Sequence, residues 1–201
     1  MRIAARLAPV GASILIAGVL AAPSFAAQSN TFLVNCTNVQ IQAQWNPPIT
    51  LTPQPATLTG TLSGGSCSGT VNGAPFSNRP MTGFATIPGV HSCELGEGQG
   101  HGAFNIAGRN LYASVTYRRG GHDGVIVFQG DSGGQAVLRL HGDFGLISES
   151  NPLATFLPQA AGPTDAAELL ATCASPQGLS GLLVIADSFT SAPTISSPAQ
   201  E

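Results

Sequence analysis

Residues 124–142, "GVIVFQGDSGGQAVLRLHG", decide the fold class. Two alternating apolar runs flank a cluster of small and polar residues, the pattern of two half-buried strands joined by a tight turn. Aligning the arms sets Ile126 against Leu140, Phe128 against Leu138 and Gly130 against Ala136 on one face. Val127 then meets Arg139, and Gln129 meets Val137, on the other. One face is apolar across both strands, as a half-buried antiparallel pair requires. The loop is Ser132-Gly133-Gly134, closed by Asp131 and Gln135. A three-residue loop of this kind is a type I turn followed by a left-handed residue. Asp is favoured at the first turn position and Gly at the fourth, where Asp131 and Gly134 stand.

The same alternation extends along the chain. Candidate strands are 31–44, 55–63, 66–71, 81–87, 102–108, 110–118, 124–130, 135–142 and 179–187. Strands at such short, regular spacing predict an all-β fold, a single antiparallel β-barrel or sandwich of about eight to nine strands. One short helix precedes the last strand: "GPTDAAELLATCA", 162–174, has Thr164 or Asp165 as N-cap and Glu168 three residues after Asp165. Leu169, Leu170 and Cys173 are its expected inward face. The Gly-rich "ELGEGQGHG", 94–102, reads as a loop, and the Ser-, Thr- and Pro-rich 188–201 as a disordered tail. Trp45, Tyr112 and Tyr117 read as strand aromatics, and the opposite parity of the two tyrosines puts them on different faces.

Composition agrees with sheet over exposed helix. Charged residues make up 8% of the chain, so the polar surface has to come from Thr, Ser, Gln, Asn and Gly. At the start, Arg2 and Arg6 precede the apolar run 10–22 and the small-residue site "PSFAA". This is the pattern of a secretory signal peptide over 1–26, with cleavage after Ala26 or Ala27. The apolar run falls short of the roughly 18 to 20 residues that span a bilayer, so no membrane span is expected after cleavage. The domain is then 27–187, and the expected location is secreted, extracellular.

Beyond the signal region the chain has five arginines, no lysine and ten acidic residues, a net charge near −5. Nucleic acid is therefore excluded as a partner, since it requires clustered cations. Cys36, Cys67, Cys93 and Cys173 are an even set in an exported chain, which implies two disulfides. A hairpin of 31–42 with 55–64 about the turn "NPPITLTPQP" brings Cys36 near Cys67. The expected pairs are Cys36–Cys67 and Cys93–Cys173.

Two short motifs carry possible chemistry. GDSGG matches the nucleophile signature of trypsin-like serine proteases, and that resemblance implies a nucleophilic Ser132. It spans about 20 residues, including the apolar run up to Gly145-Leu146-Ile147-Ser148. The rest of the triad pattern departs from it. The first Asp of the chain is Asp123, nine residues before Ser132, and the earliest histidine, His91, stands 41 residues before it. Gln135 replaces the proline usual in that family. Separately, His91, Glu94, Glu97 and His101 supply metal-ligand types on the Gly-rich segment without a diagnostic spacing.

Over nearly its whole length past the signal, the chain resembles small exported actinobacterial β-rich proteins of uncharacterised function. The resemblance rests on Cys36 in the first strand, Leu51–Cys67, Cys93–Gly98, the paired strands Gly124–Gly142, and Leu169–Ser180. It implies a fold and no catalytic residues. The expectation is a secreted, non-enzymatic β-barrel without a cofactor. It binds a small apolar ligand or a cell-envelope component; a serine hydrolase using Ser132 is the alternative.

Overall fold

A computed structural model describes residues 29–120, 123–131, 133–141, 166–191 and 194–198. Nine strands and one helix follow in the order β1 Ser29–Ile49, β2 Gln54–Val71, β3 Ala74–His91, β4 Leu95–Ile106, β5 Arg109–Gly120, β6 Asp123–Gly130, β7 Gln135–His141, α1 Ala166–Ala174, β8 Leu179–Ser191 and β9 Ile195–Pro198. Each of β1 to β8 pairs antiparallel with its sequence neighbour, apart from the helical insertion between β7 and β8. β1 also pairs with both β2 and β8, which closes an eight-stranded barrel. The fold is thus a barrel and not a sandwich. Closure leaves no free edge around most of the circumference. β9 adds to the start of β1, from Ser29↔Pro198 to Phe32↔Ile195.

Alternation sets the inside and the outside. Val39, Ile41, Ala43 and Trp45 of β1 are buried, whereas Gln40 and Gln44 are exposed. On β2, Leu58 and Leu62 point inward while Thr59, Thr61 and Ser63 are exposed. An apolar inside and an amide- and hydroxyl-rich outside are the reverse of a lipid-facing barrel. The interior is filled. Phe104, Phe128 and Phe189 meet there, with the Phe104–Phe128 centroids 4.6 Å apart and edge-on. Among the described residues, the interior cavity lined by Ile41, Trp45, Leu58, Ile87, Tyr117 and Phe128 has a volume of about 30 Å³, enough for one water.

Several expectations change in the structure. The segments 55–63 and 66–71 are one strand, β2, which bends where Gly64 and Gly65 take positive φ and the pairing shifts register. The Gly-rich 94–102 is no loop: from Leu95 onward it is the first two-thirds of β4. Its glycines 96, 98, 100 and 102 occupy successive inward positions. The reason is the bulk opposite. A β-carbon on Gly96 would lie 2.6 Å from the Tyr117 ring, and one on Gly100 would collide with the Thr86 carbonyl.

The opening hairpin keeps its faces but not its register. Ile126 meets Leu138, Phe128 meets Ala136 and Gln129 meets Gln135, two residues from the expected pairing. A shift of two preserves parity, so Phe128, Ala136 and Leu138 still face inward. The turn begins at Gly130 and not at Asp131: Gly133 N–H donates to Gly130 O, and Gly130 N–H to Gly134 O, each at 3.4 Å. What sets it is the end of the chain. Residues 188–201 are expected to lack structure, yet β8 runs to Ser191 and β9 crosses this mouth of the barrel with Ile195 fully buried. A β-carbon on Gly130 would collide with the Ser196 carbonyl, and one on Gly134, at φ 74°, with that of Thr194. Glycines of GDSGG are therefore seats for β9.

Candidate functional site

Up-and-down topology sorts the candidate residues between two ends. Turns 72–73, 107–108 and 131–134 lie at one end with β9; turns 50–53 and 92–94 lie at the other with α1. Ser132 itself lies outside the described residues, but its neighbours Asp131 and Gly133 place its loop at the β9 end. His91 is at the helix end, the length of a barrel strand away, roughly 20 Å. His101 sits on the outer face of β4, opposite Ser114 and then Gln129, so its backbone is two strand spacings, roughly 10 Å, from β6. A competent serine–histidine pair needs about 3 Å.

The proposed metal residues do not gather. His91 points inward and is buried; Glu94, Glu97 and His101 are exposed, the last two on the outer face of β4. Strand alternation is the cause. No group of three or more His, Cys, Asp or Glu that could hold a metal occurs among the described residues.

What the structure does build at the helix end is a buried polar cap. Arg119, on the inward face of β5, donates from Nη2 to Ser92 O at 2.5 Å. Ser92 accepts from the backbone of Glu94 and Leu95 and so shapes the β3–β4 turn. Next to it, Cys93 is bonded to Cys173 at the end of α1, as expected from the sequence. Leu51 N–H donates to Cys173 O, and Cys93 N–H to Thr50 O, which ties the helix to both turns. Leu169 and Cys173 are buried as expected; Leu170 is only half-buried. His91 stacks on Tyr117 with ring centroids 5.8 Å apart, and its Nε2 lies 3.3 Å from Ile87 O.

Burial depresses the His91 pKa, the Ile87 carbonyl opposes the shift, and the Arg119 charge adds to it. Burial raises that of Tyr117, with Arg119 opposing. Burial lowers that of Arg119, with Tyr117 and then Glu94 opposing. His91 Nδ1 and Trp45 Nε1 are buried without a hydrogen-bond partner among the described residues.

The β9 end carries a groove instead. It has a volume of about 680 Å³ and lies between the tip of the β2–β3 hairpin and the β4–β5 turn. Asn72, Pro75, Phe76, Arg79, Asn105 and Arg109 supply most of its lining. The hairpin tip projects because β3 meets β4 only from Met81 onward, so 74–80 pair with β2 alone. Asn72 and Gly73 both take positive φ, the signature of a two-residue hairpin turn. Asn72 Oδ1 accepts from Thr31 N–H at 2.8 Å, anchoring the tip to β1. Further along, Asn78 takes φ 49° in a bulge where Ser66 Oγ lies 3.0 Å from Asn78 Oδ1. The Cys36–Cys67 disulfide, also as expected, lies beneath this bulge, since Cys67 pairs with Arg79.

Sequence reasoning missed this groove. The signals were present: Asn72-Gly73 and Ala107-Gly108 are two-residue turns, and each lies close to one of the arginines. Their convergence needs the pairing of β3 with β4. A second cleft, of about 510 Å³, opens where β1 and β8 part between Gln44 and Ile49, and its side chains are uncharged.

These features define a closed, disulfide-bonded, eight-stranded barrel with a polar exterior. No family model matches the chain, and no curated protein or solved structure matches it.

Proposed function

We propose that the chain is an exported, non-enzymatic barrel that binds a cell-envelope component through its outer surface. The observation that carries this reading is the contrast in space. Among the described residues, the cavity inside the barrel holds about 30 Å³, too little for an apolar ligand, while clefts of about 680 and 510 Å³ open on the outside. Two formed disulfides fit an oxidising compartment, and the signal pattern over 1–26 supplies the route.

The test is co-sedimentation of the protein with purified envelope preparations from its own host. Saturable binding is expected. Native mass spectrometry of the same protein is expected to give the mass of the two-disulfide chain alone; a stoichiometric apolar ligand would overturn the surface reading. The hydrolase alternative predicts fluorophosphonate labelling that is lost in Ser132→Ala, and no labelling is expected here.

A further inference from the structure

We infer that the groove at the β9 end is a binding site for an acidic glycan, with Arg79 and Arg109 pairing to its carboxylate or phosphate groups. The inference rests on the surface reading above and names the ligand class for it.

Charge is the first support. The chain past the signal region has only five arginines, and one of them, Arg119, is buried. Two of the remaining four line this one groove, and no acidic residue lines it. Arg79 and Arg109 are exposed and make no ion pair or side-chain hydrogen bond with the described residues. Two guanidinium groups left open in a concave site of an acidic protein are matched by a ligand carrying anions, each able to accept a forked pair of hydrogen bonds.

The frame is the second support. Arg79 stands on a hairpin held by the Cys36–Cys67 bond, by the Asn72 contacts with β1 and by the Ser66–Asn78 contact. The hairpin that carries Arg79 therefore needs little further ordering; the exposed arginine side chains still have theirs to lose.

The third support separates a glycan from an acidic peptide. Residues 74–80 of β3 form an open strand edge beside the groove, the usual place for a peptide to add as a strand. Pro75 and Pro80 remove backbone donors from that edge and discourage a peptide ladder. What remains is side-chain recognition: the half-buried Phe76 and Pro75 offer apolar faces for a sugar ring, and Asn105 offers an amide.

The test uses the full chain, expressed with its own N-terminal segment and with both disulfides formed. Probes are oligogalacturonate, its methyl ester, a poly(glycerol phosphate) polymer and polyglutamate. Titration calorimetry should show binding of the carboxylate or the phosphate glycan, and which of the two binds names the anion. Binding should weaken as salt rises, and the methyl ester should not bind. R79Q/R109Q should lose at least about tenfold in affinity, given the worth of charged hydrogen bonds. R118Q, on the outer face of β5 away from the groove, should stay near the parent value.

Absence of binding to both glycans overturns the inference. So does an equal loss in R118Q, which would mean diffuse charge attraction, or polyglutamate binding as tightly as the glycan. Envelope co-sedimentation that persists in R79Q/R109Q overturns the groove and leaves the surface reading standing. Failure of the parent protein to sediment overturns the surface reading, whatever the glycan titrations give.

Discussion

The two ends of the barrel treat their arginines in opposite ways. At the helix end Arg119 is turned inward, buried and hydrogen-bonded to the carbonyl of Ser92, which precedes Cys93 of the Cys93–Cys173 bond in sequence. At the β9 end Arg79 and Arg109 face an open groove with no partner among the described residues. Both ends carry a disulfide, but the bonds do different work. One fastens a helix across a mouth; the other pins two directly paired strands, Cys36↔Cys67, beneath a projecting hairpin. A side chain engaged within the fold is taken up there, while one exposed without a partner among the described residues is available to a ligand.

The largest expected effect separates the bonds. Replacing Cys93 and Cys173 by Ala opens a loop of 80 residues and should cost about 4.5 kcal/mol on the chain-entropy account. Replacing Cys36 and Cys67 opens one of 31 residues and should cost about 3.7 kcal/mol. Urea unfolding measures both, and a clearly larger loss at the β9 end would break the comparison.

Next in size is Arg119→Met. It keeps much of the bulk but leaves the Ser92 carbonyl without its charged donor, at a cost of about 1–3 kcal/mol. Thermal melting should fall accordingly, and a variant as stable as the parent would show that the cap does not depend on this bond. A comparable loss is expected for Gly96→Val, which forces the Tyr117 ring aside, about 1–3 kcal/mol for overpacking.

A smaller effect concerns pH. Because burial holds the His91 pKa below its ordinary value of about 6.5, the unfolded chain takes up a proton that the native barrel refuses. The contribution is intact above that value and is lost as pH falls below it, towards the native pKa. His91→Gln should flatten this part of the stability profile, and an unchanged slope would assign the acid sensitivity elsewhere. The smallest effect belongs to the open end: R79Q/R109Q should leave the urea midpoint where it is, since surface side chains without partners contribute little to folding. Marked destabilisation would mean these arginines are structural after all.

The legible parts of the fold were those that depend on near neighbours. Alternation gave the inward faces of β1, β6 and β7; the cap pattern around Asp165 placed α1; and the hairpin about the Pro-rich turn brought Cys36 to Cys67. The Gly-rich stretch was misread because glycine hides apolar alternation: over 96–102 only the outer face carries side chains, Glu97, Gln99 and His101, and glycine occupies every inward position, so no hydrophobic period shows. The candidate site was the least legible part. Arg79 and Arg109 lie 30 residues apart, and only the pairing of β3 with β4, Met81 opposite Ile106, sets their hairpins side by side.

The GDSGG stretch shows the same division. By itself the sequence determined that these residues turn between two strands with one apolar face, because parity and turn chemistry are local. Only the tertiary structure decided where the turn begins and which strand residues oppose one another. The carbonyls of Thr194 and Ser196 pass so close to Gly134 and Gly130 that no β-carbon fits, and that contact comes from a segment some 60 residues further along the chain.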